Sequence, residues 1–180
     1  MATGTPNLAS MVTEVIDLSD NPVTCKGLGD FPLKLSCGSG GLLNGSLPIV
    51  CGGKYVNLDK DCFILGTNEK IASLKGPRAN SAAVTMFDKL WITGGYDDYN
   101  YLNSTEILDV TVSPASVVQG PELPMPMSSH CIAKLNDSTV FFMAERKTFF
   151  YDLSANVWTS GPDMAHERYG FGCGNIKGDA

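Results

Sequence analysis

A unit that recurs about every 45 residues, and closes its central apolar strand with a glycine pair, constrains this 180-residue chain more than any other feature. The clearest copy runs from Pro77 to Gly95. It passes through the small-residue run Ser81-Ala82-Ala83-Val84, a turn at Phe87-Asp88, and Leu90-Trp91-Ile92-Thr93-Gly94-Gly95. Superposed without gaps, Pro126 to Ala144 lies under it 49 residues on, with Met143-Ala144 in place of the glycines. Gly41 to Gly53 lies 42 residues before it and ends in Gly52-Gly53, and Arg168 to Cys173 is a last partial copy. Periods of this length belong to solenoids, propellers and arrays, where one supersecondary unit buries its apolar face only against its neighbours.

The later half of the unit repeats too. Thr13-Glu14-Val15-Ile16-Asp17-Leu18 matches Thr105-Glu106-Ile107-Leu108-Asp109-Val110, 92 residues on, and Phe150-Tyr151-Asp152-Leu153 holds the same place one period later. Gly-Pro pairs at Gly76-Pro77, Gly120-Pro121 and Gly161-Pro162 mark each passage to the next unit, since proline cannot donate to a ladder and glycine tolerates tight turns. Each unit reads as four short strands; in the second these are Ser81 to Met86, Lys89 to Thr93, Ser104 to Val110 and Ser116 to Val118. Runs such as Val140-Phe141-Phe142-Met143 are too short for globular helices, and no amphipathic helix is predicted.

The arginine, small-residue strand with a histidine, turn, apolar strand ending in Gly-Gly, and later Tyr151 and Trp158 resemble a kelch repeat, over roughly Thr13 to Gly174. The resemblance implies an all-β chain, a kelch-type β-propeller of four-stranded blades. Positions 1–11 read as a leader and 12–180 as a partial propeller: a fragment at 12–28, blades at 29–75, 76–119 and 120–160, and a fragment at 161–180. The alternative is a four-bladed ring whose two ends build one incomplete blade. Either arrangement leaves an unpaired sheet edge and so a route to self-association.

A hydrophobic share of 43%, with 18% charged residues, suits one globular body, and no apolar run approaches the length that crosses a bilayer as a helix. A net charge of −6 speaks against nucleic acid as the partner. The start, Met1 to Asn7, lacks the basic and apolar regions of a signal peptide. The densest basic pair, Arg146-Lys147, reads as a solvated turn, with Arg146 kept as a binding candidate.

Six cysteines without a CxxC, and only two histidines, argue against a structural zinc site, and no cofactor is expected. Cys51 and Cys62 lie on adjacent antiparallel strands and form the first candidate disulfide; Cys25 and Cys37 form the second. Cys131 and Cys173 are expected as free thiols, because inner strands of neighbouring blades generally stand too far apart. Sequons at Asn44, Asn103 and Asn136 are candidate glycosylation sites. With the disulfides, and a similarity to secreted invertebrate kelch-like proteins whose blades carry Cys-Gly-Gly and a later Cys, they point to an extracellular or secretory setting, with the cytoplasm as the alternative.

Catalytic residues are not predicted. No nucleophile elbow is present, and adjacent strand residues such as His130 and Cys131 point to opposite faces. His130 is expected to be structural, and Gly38 to Gly41 lack the lysine and helix of a phosphate loop. The loop carrying Tyr96, Asp97, Asp98, Tyr99 and Tyr101 is the candidate contact surface for a protein partner, tyrosine being enriched in interfaces. The expected function is thus a non-enzymatic protein-binding scaffold. The alternatives are a piece of a larger extracellular adhesion or matrix protein and, third, a carbohydrate-active or oxidase-like enzyme, for which Asp97, Asp98 and Glu106 do not obviously converge.

Overall fold

The computed structural model describes residues 10–17, 21–54 and 56–173, and every regular element in them is a strand. A hairpin of β1 (Ser10–Asp17) and β2 (Thr24–Leu35) precedes three four-stranded antiparallel sheets. The first comprises β3 (Ser39–Leu43), β4 (Leu47–Lys54), β5 (Leu58–Ile64) and β6 (Lys70–Ser73). The second comprises β7 (Ala82–Met86), β8 (Lys89–Thr93), β9 (Thr105–Asp109) and β10 (Ser116–Gln119). The third comprises β11 (Cys131–Lys134), β12 (Thr139–Ala144), β13 (Lys147–Asp152) and β14 (Val157–Ser160). In each sheet the strands pair in chain order, so the unit read from the sequence is one sheet.

The pleat explains how one sheet seals the next. Alternate residues of a strand point to opposite faces, and cross-strand partners share a face. In the second sheet Leu90, Ile92 and Leu108 turn back to meet Leu43, Ile49, Cys51 and Cys62 of the first. Trp91, on the other face, turns forward into Ile132, Val140, Phe142 and Tyr151 of the third. Its ring lies 5.6 Å from Phe142 and 5.3 Å from Tyr151, with Trp158 closing the cluster. Apolar residues on both faces thus lock the second sheet between its two neighbours.

Small residues line the inner strands because these meet most closely. Ser39 and Ser81 hydroxyls are 2.8 Å apart, and a Cβ on Gly41 would come within 2.7 Å of Leu90 and Thr85. A run of backbone bonds crosses from unit to unit beside them. Asn80 N–H donates to Cys37, Ser129 to Asn80 and Gly170 to Ser129, at 2.9, 2.9 and 3.0 Å. All four residues take left-handed backbone angles, φ of +53° to +60°.

The ladder corrects the gap-free repeat. Cys51 pairs with Ser39, Thr93 with Ala82 and Met143 with Cys131, so Met143 stands where Cys51 and Thr93 stand. Ala144-Glu145, not Met143-Ala144, therefore replaces the glycine pair, and Glu145 takes the left-handed angle, φ +55°. The cause is a turn between β11 and β12 one residue longer than Phe87-Asp88 allows in the ungapped register.

Other boundaries also move. β1 begins at Ser10, inside the expected leader, whose first nine residues lie outside the described part. β2 runs on to Leu35, past the expected fragment end at 28. Arg168 to Cys173 forms an isolated bridge, Glu145 with Arg168, and no ladder; Gly174 lies outside the described residues.

The cysteines correct the sequence reading in two places. Cys51 and Cys62 form a disulfide with Cα atoms 4.1 Å apart, across directly paired positions of β4 and β5. Cys131 and Cys173, expected as free thiols, are bridged with Cα atoms 5.9 Å apart, because the segment after Pro162 crosses close over the third sheet. Cys25 and Cys37, expected to pair, are free and exposed. The extended β2 lies between them, and roughly 3.3 Å of rise per residue carries them far beyond the ~7 Å limit for bridging Cα atoms.

Candidate functional site

The connection from β8 to β9, residues 94–104, is the longest link between second and third strands; the corresponding links are residues 55–57 in the first sheet and Glu145-Arg146 in the third. The glycine pair starts it. Gly94 and Gly95 have φ of +55° and +102°, and a Cβ on either would lie within 2.5 Å of the Met127 carbonyl or 2.7 Å of the Ala79 carbonyl. Such close backbone approach admits only glycine.

Beyond the pair the loop is a short hairpin with its own bonds. Tyr96 exchanges backbone bonds with Ala79 and bridges Tyr101, while Leu102 N–H donates to Gly95 at 2.9 Å. The Asp97 carboxylate accepts from the Tyr99 and Asn100 amides at 3.0 and 2.7 Å, a turn that aspartate forms readily. Those two amide bonds, Asn100 first, hold the Asp97 carboxyl below its ordinary pKa. Tyr96 hydroxyl donates to the Asp98 carbonyl at 2.7 Å, and Lys54 of the first sheet is ion-paired with Asp98. The hydrogen bond from Lys54 to Asp98 raises the lysine above its usual value. What this frame presents outward is Tyr99, 87% exposed, and Tyr101, 60% exposed, whose ring lies 6.1 Å from that of Tyr96.

Beneath the loop sits a buried ion pair that the sequence reading did not find. Arg78 donates to the carbonyls of Gly94 and Ser104 at 2.9 and 3.1 Å and to Glu106 at 2.6 Å, and Glu106 also accepts from the Lys75 amide at 2.7 Å. Both side chains are almost fully buried. The guanidinium thus ties both ends of the tyrosine loop to one carboxylate. The signal was present as the repeated Arg78 and Arg168 and the repeated Thr-Glu, but nothing in one sequence says that they meet. A cleft of about 240 Å³ beside the pair is lined by Lys75, Arg78, Asp97, Leu102, Ser104 and Gln119.

Tyr96, Asp97, Asp98, Tyr99 and Tyr101 come together in this loop. Arg146 does not join them: its Nε donates to the Met164 carbonyl at 3.3 Å. Tyr169, missed in the sequence, is exposed and bonded to Glu167, which with the nearby Glu145 and Tyr101 pushes its phenol up to about 12. Asn44 and Asn136 occupy the equivalent exposed turns, β3 to β4 and β11 to β12, at the opposite ends of the second strands from the tyrosine loop. Asn103 is half-buried and its amide donates to Glu122 at 3.3 Å.

His130 is buried and its Nε2 is 2.8 Å from the Thr93 hydroxyl; desolvation lowers it to about 4. This neutral, enclosed imidazole thus ties the approach to β11 to the end of β8. Among the described residues no group of three or more His, Cys, Asp or Glu is placed to hold a metal, and no helix is long and apolar enough to cross a membrane.

The Kelch motif family profile matches residues 77–112, the first three strands of the second sheet with its arginine and glycine pair. No curated protein matches the chain. Among solved structures, one described as the structure of YjhT superposes with a TM-score of 0.74 at 12% identity, covering 87% of this chain. This chain spans 60% of that protein's length. With the motif, the sheet order and the interlocking faces in agreement, the chain is a kelch-type β-propeller structure whose described residues form three complete four-stranded blades preceded by a two-stranded hairpin.

Proposed function

We propose that this chain is a non-enzymatic protein-binding scaffold that presents the loop Tyr96 to Asn103 to a protein partner. The observation that carries the reading is the loop's combination of exposure and internal bonding. Tyr99 and Tyr101 stand in solvent on a backbone already fixed by Asp97, by the Tyr96–Tyr101 bridge and by Lys54. An aromatic side chain ordered before binding loses little further freedom in the complex, which is why rigid tyrosines make good anchors.

Two internal disulfides favour an oxidising, extracellular or secretory setting for this scaffold. In that setting glycans on Asn44 and Asn136 cover the far ends of the blades and leave the tyrosine loop open. A second reading, a stretch of a larger extracellular adhesion or matrix protein, draws on the same disulfides and on the partial blades.

The test is affinity capture from extracellular fractions with the wild type and Tyr99→Ala/Tyr101→Ala, both checked for equal thermal stability. Proteins retained by the wild type and lost from the variant support the loop as the contact surface. An identical set captured by both refutes it. A catalytic reading would require turnover by the purified chain that is lost with these substitutions.

A further inference from the structure

One tyrosine of the candidate loop stands apart from the other described tyrosines. Tyr151 is buried with its hydroxyl bonded to Asn156, the Tyr96 hydroxyl donates to the Asp98 carbonyl, the Tyr169 hydroxyl is bonded to Glu167, and the Tyr101 ring rests edge-on against that of Tyr96. Tyr99 is 87% exposed, and among the described residues neither its ring nor its hydroxyl has a partner. The backbone places it there. Asp97 N–H donates to the Asn100 carbonyl at 3.1 Å and the Asp97 carboxylate accepts from the Tyr99 and Asn100 amides, so Tyr99 sits at the tip of a closed four-residue turn. A phenol at such a tip can enter another protein's cleft without any strand of the blade opening.

The sequence around the tip is acidic. From Leu90 to Ala133 the chain carries no lysine or arginine, and its carboxylates there are Asp97, Asp98, Glu106, Asp109 and Glu122. Two of these immediately precede Tyr99. Lys54 reaches Asp98 from the first blade, yet the Asp98 side chain stays 40% exposed, and Asp97 is ion-paired with none of the described residues. An enzyme that binds an anionic group donor lines its cleft with cations, and the same cations draw in a phenol that follows carboxylates. A phenol flanked by lysine or arginine would be repelled.

We propose that Tyr99 is a site of tyrosine O-sulfation, the Asp97-Asp98-Tyr99 tip entering the basic cleft of a sulfotransferase. The proposal rests on the secretory setting proposed above, where sulfuryl transfer to tyrosine takes place. The Tyr99 phenol oxygen bonds to the sulfur of a nucleotide phosphosulfate, the bond from that sulfur to the bridging oxygen breaks, and the nucleotide phosphate leaves with the electron pair. The phenol proton passes to the enzyme's base, and nothing is oxidised or reduced. The ester adds a fixed negative charge and acceptor oxygens at the most exposed point of the loop, where they match a guanidinium on the binding partner. The partner's chemistry follows: a basic surface with an arginine facing Tyr99.

The experiment incubates the purified, disulfide-bonded chain with Golgi membranes and a phosphosulfate donor carrying radiolabelled sulfate. Wild type is expected to take up label at Tyr99, located by cleavage before Asp98 and Asp109 and electron-transfer fragmentation of the peptide between them. A parallel incubation with radiolabelled ATP is expected to leave Tyr99 bare. Tyr99→Phe is expected to abolish the sulfate label and Tyr101→Phe to keep it. Asp98→Asn should slow uptake about tenfold, the loss of one charged contact, and Asp98→Glu should restore it. All three side chains are exposed, so each variant should melt as wild type does. Secretion of the chain with Cys51 bridged to Cys62 reports the setting separately: a secreted chain that the membranes leave unlabelled overturns sulfation while the setting stands, and label on Tyr99 of a chain that cells retain upholds the site while the setting falls. No label, label at another tyrosine, phosphate in place of sulfate at Tyr99, or Asp98→Asn labelled as fast as wild type would each overturn the proposal.

Discussion

Lowering pH should destabilise this fold through His130 in particular. The imidazole is 6% exposed and stacked over Phe142, with Nε2 bonded to the Thr93 hydroxyl. That hydroxyl donates to the Ala82 carbonyl at 3.2 Å, so Nε2–H is the donor to it and Nδ1 is the unprotonated nitrogen. Nδ1 is buried without a partner, and a proton placed there would have no acceptor. Burial accordingly lowers the folded pKa from 6.5 to about 4. A folded pKa below the unfolded one gives stability that is complete above 6.5 and is lost as pH falls toward 4, because the unfolded chain takes up the proton first. At pH 4.5 the unfolded histidine is about 99% protonated and the folded one about a quarter, which works out to about 2.5 kcal/mol. The assay is urea unfolding from pH 7.5 to 4.5 for wild type and His130→Gln, whose amide meets Thr93 but does not titrate. Carboxylates contribute equally to both, so the difference isolates the imidazole. The wild type should lose about 2 to 3 kcal/mol more than the variant across this range. Parallel profiles would refute the buried neutral imidazole and the blade contact it implies.

Four further outcomes follow from the packing. Trp91→Ala should cost about 3 to 5 kcal/mol, since the ring fills the contact between the second and third blades, and a near-neutral urea midpoint would contradict that placement. Arg78→Met should cost about 3 to 5 kcal/mol by leaving Glu106 buried and unpaired, whereas the double change with Glu106→Leu should recover part of the loss in the same assay. Non-reducing peptide mapping should return Cys51 with Cys62 and Cys131 with Cys173, with Cys25 and Cys37 alkylated before reduction; a Cys25–Cys37 peptide would contradict the extended β2. Secretory expression followed by enzymatic deglycosylation should shift wild type more than Asn44→Gln or Asn136→Gln, and no shift in any of them would remove the glycan reading.

The blades were legible because their signal is local and repeated. Four strands of the second blade fall within a residue or two of where Phe87-Asp88, the glycine pair and Gly120-Pro121 put them. The glycine pair marks its place because a passing carbonyl within 3 Å excludes a side chain, and that exclusion is written into residue type. The tyrosine loop was legible as a loop for the same reason. Its internal order was less so, since Lys54 reaches Asp98 from another blade and Arg78 reaches Glu106 across the loop's base. Those contacts depend on how far apart successive units stand, and spacing in space is not spacing in sequence.

The third blade shows how one missed residue propagates. Without gaps, Ile92 falls over Phe141, and the rear face of one blade is mapped onto the forward face of another, since a shift of one reverses every side chain on a strand. The ladder restores Ile92 to Phe142, which is sealed against the second blade, and sends Phe141 to the uncovered side. Glu145, left-handed where Gly94 or Gly95 would be, is the visible cost of the change. The same displacement hides the Cys131–Cys173 bridge. Blade-to-blade spacing argues against it only if residues 168–173 stand as a full inner strand, and they lie instead across Met143, tied at Glu145 and Ser129. Met143 thus owes its half-burial to this crossing segment, which covers part of a face that the first two blades bury completely.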